Sequence, residues 1–386
     1  MSTVEFETST SNADTAEQMA TDLVEGLSGA EPKLALAIVP AERDQPAIAK
    51  ALRDKLPKDT RLAYTTSGAP IGPRGVQPNT AVLASLGGDL EVGLGFVEEL
   101  TDDAVSAGIS VMKMASEDLG VRPGDLDETT TLGIVVDDGM RFKKEELLLG
   151  LLDANAGLSL VGGGASDGRM PGEDPIATLG IDGKLANDSA MVILLRTDAK
   201  WWTFRHHAYE PTGETLTITK VDDTSLRALE IDGQPAVQRY AELLGVGPDE
   251  LEFGKPKGFT DKPTAMRVGR EYFMRAPWQP MDDGSILYSN LILDDTELEL
   301  MKLVPLADSL SKFVTEEIPQ RVGEPAGALY FNCYGRFMLE QATGIREAVD
   351  AAYRSGPPAA GLNAVFELYN GFQINSSLTG VAFGKG

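Results

Sequence analysis

The chain reads as an α/β protein built from repeated strand–helix–strand–loop–hairpin units, whose mixed sheets are covered by helices and divided between two domains. Three observations predict this. Its 386 residues exceed one ordinary hydrophobic core. Short apolar runs alternate with segments of helical periodicity. One order of elements then recurs three times along the chain.

Residues 1–12, rich in Ser, Thr and Glu, read as loose, and 14–27 as an amphipathic helix with Ala16, Met19, Leu23 and Leu27 on one side. The first unit is a strand at 33–39, a helix at 47–56, a strand at 61–64, a polar loop at 65–73 containing Ser67, and strands at 80–86 and 90–96. The second is a strand at 131–136, a helix at 143–155, a strand at 158–161, the run Gly162-Gly163-Gly164-Ala165-Ser166-Asp167-Gly168, and a hairpin pairing 177–181 with 190–195. The third is a strand at 328–331, a helix at 337–353, a strand at 360–365, a loop at 366–371 and strands at 372–374 and 378–383. Between the last two units lie a β-rich stretch at 200–231, with alternating Thr215-Leu216-Thr217-Ile218-Thr219, and a helix at 236–244.

If the first two strands of each unit are parallel, the loop after the second lies at the carboxyl edge of the sheet, where α/β proteins bind ligands. That makes Ser67, the glycine run and Glu367 walls of one small-molecule pocket. Glycines there let backbone approach a ligand, while Ser166 and Asp167 supply polar contacts.

Composition narrows the function. With 34 basic against 59 acidic residues the net charge is −25, and the pI is near 4.5. Such a chain repels phosphate backbones and anionic lipids, which argues against nucleic-acid or membrane partners. Acidity spread over the whole length is what a salt-adapted cytoplasm selects, and points to a halophilic source. No apolar stretch approaches the roughly 20 residues of a membrane span, and the first residues lack a signal-peptide pattern, so a cytoplasmic location is expected. One cysteine, Cys333, excludes an internal disulfide framework and multi-Cys metal sites. With only His206 and His207 present, any chemistry that requires histidine depends on one of these two.

The segment Asn332-Cys333-Tyr334-Gly335-Arg336 joins a strand to a helix. Helix amides there can favour a Cys333 thiolate. Arg336 falls in the first turn, where the helix dipole disfavours a cation, so it either clamps an anion or pairs with Glu340, four residues on. Asn375 either faces the same cavity or caps a bulge. His206-His207 lie beside Trp201, Trp202 and Phe204, an aromatic setting that suits either a haem pocket or a strand with an aromatic core face. No catalytic constellation assembles, because neither histidine is tied by sequence to Cys333 or Ser166. The glycine run also lacks the Lys-Ser/Thr of a phosphate loop and the following helix of a dinucleotide fingerprint.

Taken together, several segments resemble the FIST family of sensory domains. They are 161–167, similar to the family's Gly-Gly-x-Ala-x-Asp stretch; 229–236; Arg275 with 283–285; and 329–336, similar to its Cys-x-Gly-Arg signature. The resemblance implies a segment at 1–28, an N-terminal domain at 29–235 and a C-terminal domain at 236–386. It further implies a sensor of a small ligand, amino acids or similar carboxylates, held by Ser67, Gly163, Gly164, Ser166, Asp167, Cys333, Arg336, Glu367 and Asn375, that signals through a separate partner protein. No cofactor or metal is expected on this reading. The alternatives are a haem-binding nitric oxide sensor with His207 as axial ligand, and a hydrolase using Cys333. The family's Gly-Glu pair stands here as Phe366-Glu367, and the first-unit loop lacks the family's acid.

Overall fold

Parallel strands buried on both faces read as nearly continuous apolar runs, and three such pairs organise the molecule. The computed structural model describes residues 2–29, 31–168, 176–251, 253–254 and 256–386; Glu252 and the Pro-rich segment 169–175 after the glycine run lie outside them. The N-terminal residues form a strand, β1 (Val4–Ser11), where a loose segment was expected. Its alternating burial lets the Ser/Thr-rich sequence pair antiparallel with a later strand. Helix α1 (Ala16–Glu25) follows, capped by Thr15.

In the first unit β2 (Leu34–Pro40) and β3 (Arg61–Ser67) are parallel across α2 (Gln45–Lys55). The short strands β4 (Pro70–Gly72) and β5 (Gly75–Val76) come next, then β6 (Ala81–Gly88) and β7 (Glu91–Glu98). Helix α3 (Ala104–Asp118), which the unit pattern did not include, packs its Gly108 and Ala115 side inward. In the second unit β8 (Thr131–Asp138) and β9 (Ser159–Ala165) are parallel across α4 (Lys144–Ala154). The expected hairpin is corrected: β10 (Leu179–Ile181) turns back into β11 (Lys184–Ala186), while β12 (Ser189–Arg196) joins a different sheet between β7 and β8. Strand β13 (Trp201–His206) closes the unit.

The β-rich middle supplies β14 (Tyr209–Val221), β15 (Arg227–Ile231), β16 (Gln234–Pro235), α5 (Ala236–Leu244), β17 (Thr264–Val268), β18 (Glu271–Arg275), β19 (Pro277–Pro280), β20 (Ile286–Tyr288) and β21 (Thr296–Leu303). Helices α6 (Leu306–Lys312) and α7 (Ile318–Val322) follow, joined by a π-helical turn at Phe313–Glu317. In the third unit β22 (Pro325–Cys333) and β23 (Ala359–Tyr369) are again parallel. Their crossover is two helices, α8 (Tyr334–Thr343) and α9 (Arg346–Ser355), not one, because Gly344 ends α8 in the left-handed region. Strands β24 (Phe372–Ile374) and β25 (Leu378–Gly384) complete the chain.

These strands form three sheets. The first runs β1-β6-β2-β3-β10-β11, and the second has the backbone order β13-β25-β22-β23-β9-β8-β12-β7, so that units two and three share it. The two stack face to face: Leu36 and Val82 of the first meet Ile134, Phe331 and Val381 of the second in one buried cluster. Helices α1 and α2 cover the outer face of the first sheet through Leu23 and Leu52. On the second, α3 and α4 cover one part through Val111 and Leu151, and α6 and α9 cover another through Leu310 and Val349. The result is a four-layer helix–sheet–sheet–helix body. A third sheet, β18-β17-β21-β14-β15-β20-β19, packs with α5 beside the start of α8.

Two expectations about loops change. The glycine run does not follow a strand; Gly162–Gly164 lie inside β9 and pair antiparallel with β23. Glu367 likewise sits within β23, just past a bulge at Phe366, whose φ of 60° places a bulky aromatic residue in the left-handed region.

Candidate functional site

Successive residues at the start of α8 project into three neighbourhoods. Cys333 occupies the N-cap position, and its thiol lies against the Glu367 carboxyl group. The Tyr334 hydroxyl donates to the Gly168 carbonyl at 2.7 Å, tying α8 to the end of the glycine run. Arg336 is 1 % exposed, and among the described residues its one hydrogen bond, Nη1 to the His206 carbonyl, is 3.4 Å long.

The carboxyl ends of the three parallel pairs do converge. A Cβ on Gly68 would stand 2.7 Å from the Gly168 Cα, so the first and second units touch backbone to backbone. Asn363 of β23 donates to the Ala69 carbonyl at 2.7 Å and accepts from Asn332 of β22 at 2.7 Å, which binds the third unit to the first-unit loop.

Within this junction the expected residues divide by role. Ser67 is buried and accepts from the Ala69 amide at 3.3 Å. Ser166 accepts from the Gly168 amide at 3.3 Å within its own turn, and Asp167 accepts from the Ile176 amide at 2.8 Å. Gly163 and Gly164 serve close packing: a Cβ on Gly163 would lie 2.5 Å from the Ala364 Cβ, and one on Gly164 would meet Gly139 and the Val365 carbonyl. Asn375 accepts from the Ala276 amide at 2.8 Å and donates to Asn290 at 3.2 Å and to Ser289, stitching the end of β24 to the third sheet. Cys333, Arg336 and Glu367 form the compact polar group.

That group is charged yet under-partnered. Arg336 Nε and Nη2, both Glu340 carboxylate oxygens, Glu367 Oε1 and the hydroxyls of Tyr330, Tyr353 and Ser376 are buried without a hydrogen-bond partner. Arg336 does not pair with Glu340 one turn on; each keeps unsatisfied atoms. Buried polar atoms of this kind are completed by ordered water, an ion or a small molecule, or are left at a cost. Composition and spacing singled out Arg336 but weighed Glu340 only as its partner, and gave no signal for Tyr330 or Tyr353, whose rings meet at 5.6 Å only after β22 and α9 pack.

Burial dominates the titration of these groups. It raises Glu340 to about 7, against the pull of Arg336. It raises Glu367 to about 8, although Ser377, Cys333 and Arg336 draw it down. Ser377 Oγ donates to Glu367 at 3.0 Å. Near neutrality both acids therefore carry protons much of the time, leaving the Arg336 charge uncompensated. The Cys333 thiol is pushed far up by burial and by the adjoining Glu367, and the amides of Ser376, Gly335 and Arg336 offset this only in part. A reactive thiolate is thus not what this N-cap creates.

On the far side of His206 a cleft of about 660 Å³ opens, floored by Trp202, Phe273, Phe313 and Tyr369. His206 is committed: Nε2 meets the Ser309 hydroxyl at 3.0 Å and its ring stacks on Phe313 at 4.7 Å. His207 lines the cleft with Nδ1 unpartnered, and burial with neighbouring Arg205 and Arg336 holds it neutral, at about 4. The cleft thus combines a neutral imidazole and aromatic walls with basic Arg205, Lys312 and Arg321 and acidic Glu271 and Glu317. Among the described residues no cluster of His, Cys, Asp and Glu suited to a metal ion occurs, and no helix is long and apolar enough to cross a membrane.

Comparison with known proteins gives the family. The search of curated proteins returned no match. Among solved structures the chain is similar to cyanuric acid hydrolase from A. caulinodans, at 10 % identity and TM-score 0.34 over 100 % of both chains. A second cyanuric acid hydrolase aligns at 9 % identity and TM-score 0.35, also over 100 % of both chains. PurL of T. maritima complexed with AMPPCP aligns at 9 % identity and TM-score 0.19 over 99 % of this chain and 72 % of that one. At such scores these likenesses carry no argument about activity. The profile of the FIST N domain matches residues 33–234 and that of the FIST C domain residues 236–370. With two adjoining matches over most of its length, the chain belongs to the FIST family, whose domains are sensory domains of signal transduction.

Proposed function

We propose that this protein is a non-enzymatic sensor whose ligand is an amino acid or a similar small carboxylate, bound between β22, α8, α9 and the end of β23. One observation carries the reading: the buried Arg336 guanidinium has two nitrogens without partners beside a Glu340 that is equally unpaired. A ligand carboxylate accepts charge-assisted hydrogen bonds donated by the guanidinium. Glu340, one helical turn of about 5.4 Å away, then receives an ammonium or hydroxyl of the same molecule. Ser67 and the 163–167 run shape the adjoining wall through Tyr334. The buried, protonated Cys333 fits a packing role better than a nucleophilic one. Output passes to a separate partner protein, and the acidic surface suits a salt-rich cytoplasm.

Native mass spectrometry of the protein as purified, followed by thermal-shift screening of the twenty amino acids and small mono- and dicarboxylates, tests this. The expected result is a bound adduct, or a saturable rise in melting temperature, confined to carboxylate-bearing compounds. No adduct and no response to any carboxylate defeats the reading.

His207 favours a second reading, haem-based gas sensing. His207, Lys312 and Arg321 would hold a haem in the cleft, and the group would supply an iron able to take up nitric oxide. Reconstitution with haem should then give a Soret band that His207→Ala abolishes; protein that takes up no haem removes this alternative.

A further inference from the structure

We propose that the cleft beside His206 is a second ligand site, which takes a small planar aromatic monocarboxylate. It is distinct from the Arg336 pocket and needs no haem. Trp202, Arg205 and His206 reach it from β13, in the part matched by the FIST N domain. The facing wall comes from β18, Tyr369 and the helices α6 and α7, in the part matched by the FIST C domain. Ligand pockets favour such borders and enclose about 300–1,000 Å³; this one measures about 660 Å³. Phe273 and Phe313 are buried, while Trp202 and Tyr369 are half-buried and keep ring surface open to the cleft. The Arg321 guanidinium lies over the Trp202 ring at 5.3 Å, and that of Arg205 over Phe273 at 4.2 Å. A guanidinium stacked on one ring offers its other face to a second ring and its edge N–H groups to a carboxylate. Arg205 is engaged by Glu271 and by the Tyr272 carbonyl, whereas the Lys312 and Arg321 side chains make no hydrogen bond or ion pair with a described residue.

The π-helical turn sets the helical wall. At 3.6 residues per turn each step of four overshoots by about 40°, so Phe313, Glu317 and Arg321 would wind away from the cleft along a continuous α-helix. The wider turn at Phe313–Glu317 offsets that drift, and all three line the cleft. Such turns recur at functional sites. Charge then selects the ligand. In a chain of net charge −25, this cleft sets the cations Arg205, Lys312 and Arg321 against the acids Glu271 and Glu317, and Arg336 lies behind it, bonded to the His206 carbonyl. The local surplus draws in an anion that the rest of the surface repels. Glu317, unpaired as well, opposes a second negative charge, which sets a monocarboxylate apart from a phosphate. A bare anion would leave the rings wet and two imidazole nitrogens idle. His206, 9 % exposed, and His207 both line the cleft with Nδ1 unpartnered, and a polar atom on the ligand ring completes one of them.

Isothermal titration calorimetry with indole-3-acetate and 2-naphthoate tests the proposal, with indole, acetate and phenyl phosphate as controls. The expected result is saturable binding of both aromatic acids and binding of each control weaker by at least about tenfold, since each control lacks the ring or the carboxylate. Lys312, Glu317 and Arg321 are exposed, so their variants keep the fold, which circular dichroism checks. Arg321→Gln and Lys312→Gln should each weaken both acids by about tenfold, and Glu317→Gln should narrow the gap between 2-naphthoate and phenyl phosphate. Protein that binds neither acid overturns the proposal, whether or not it takes up haem. Binding that Arg321→Gln and Lys312→Gln both leave intact overturns it too, because the acids then sit elsewhere.

Discussion

Replacing Arg336 by Met separates a structural arginine from a ligand clamp, because the two roles predict opposite signs. The side chain is buried, its one bond is long, and two guanidinium nitrogens have no partner. Exchanging buried charged groups for apolar side chains of similar volume is often neutral or stabilising, by up to about 4 kcal/mol. At roughly 2–4 °C per kcal/mol for a domain of 150–250 residues, ligand-free Arg336→Met should melt no lower than the wild type and up to several degrees above it. Ligand response should move the other way. At a hundred times its dissociation constant a ligand stabilises the wild type by about 2.7 kcal/mol. Losing a buried charged partner costs about 2–5 kcal/mol of binding, which leaves under about 0.9 kcal/mol of response at the same concentration. Differential scanning fluorimetry with and without the screened ligand reads both quantities. A variant that is less stable than the wild type when free, yet keeps the full ligand shift, refutes the clamp.

Three further outcomes follow from the same neighbourhood. Glu340 and Glu367 titrate above the ordinary carboxylate value, at about 7 and about 8, so their protonated forms favour the native state. The stability they contribute is complete below about pH 4 and is lost as pH rises through 7 to 8. Urea midpoints should therefore fall between pH 6 and 9, and the Glu340→Gln, Glu367→Gln double variant should flatten that slope; a wild-type midpoint independent of pH contradicts the assignment. Cys333 should resist iodoacetamide in the native protein at pH 8 and react only after unfolding, and rapid labelling with the fold intact would show a thiolate that burial has not suppressed. Gly163→Ala should destabilise by about 1–3 kcal/mol through its contact with Ala364, whereas Gly124→Ala, which meets open space, serves as the control; equal melting temperatures for the two would remove the packing role assigned to Gly163.

Much of this architecture was legible because period and burial agree. The runs 34–40, 131–138 and 359–365 are apolar enough to be buried on both faces, and each second strand sits parallel to its first. Signals failed where a long-range partner decides the outcome. Strand β1 looks polar because half of it faces outward and only pairing with β6 fixes it. The glycines of β9 read as a turn, although the space they vacate is filled by Ala364, Gly139 and Val135, far away in sequence. In the same way Arg336 was visible from its clash with the helix dipole, while the orphaned hydroxyls of Tyr330 and Tyr353 exist only once β22 meets α9. Asn375 looked like a pocket residue, yet its amide is spent on Ala276, Ser289 and Asn290.

The bulge at Phe366 has a mechanical consequence. Through Ala364, β23 is paired with β22 and β4; from Val365 on, across the bulge, the same strand is paired with β9 and then β24. Glu367 stands at the splice, with its backbone in register with Gly163. A buried carboxyl group that titrates near neutrality thus sits on a rung shared by both domains. Amide exchange at Gly162–Gly164, followed across that pH range, reads whether the rung responds.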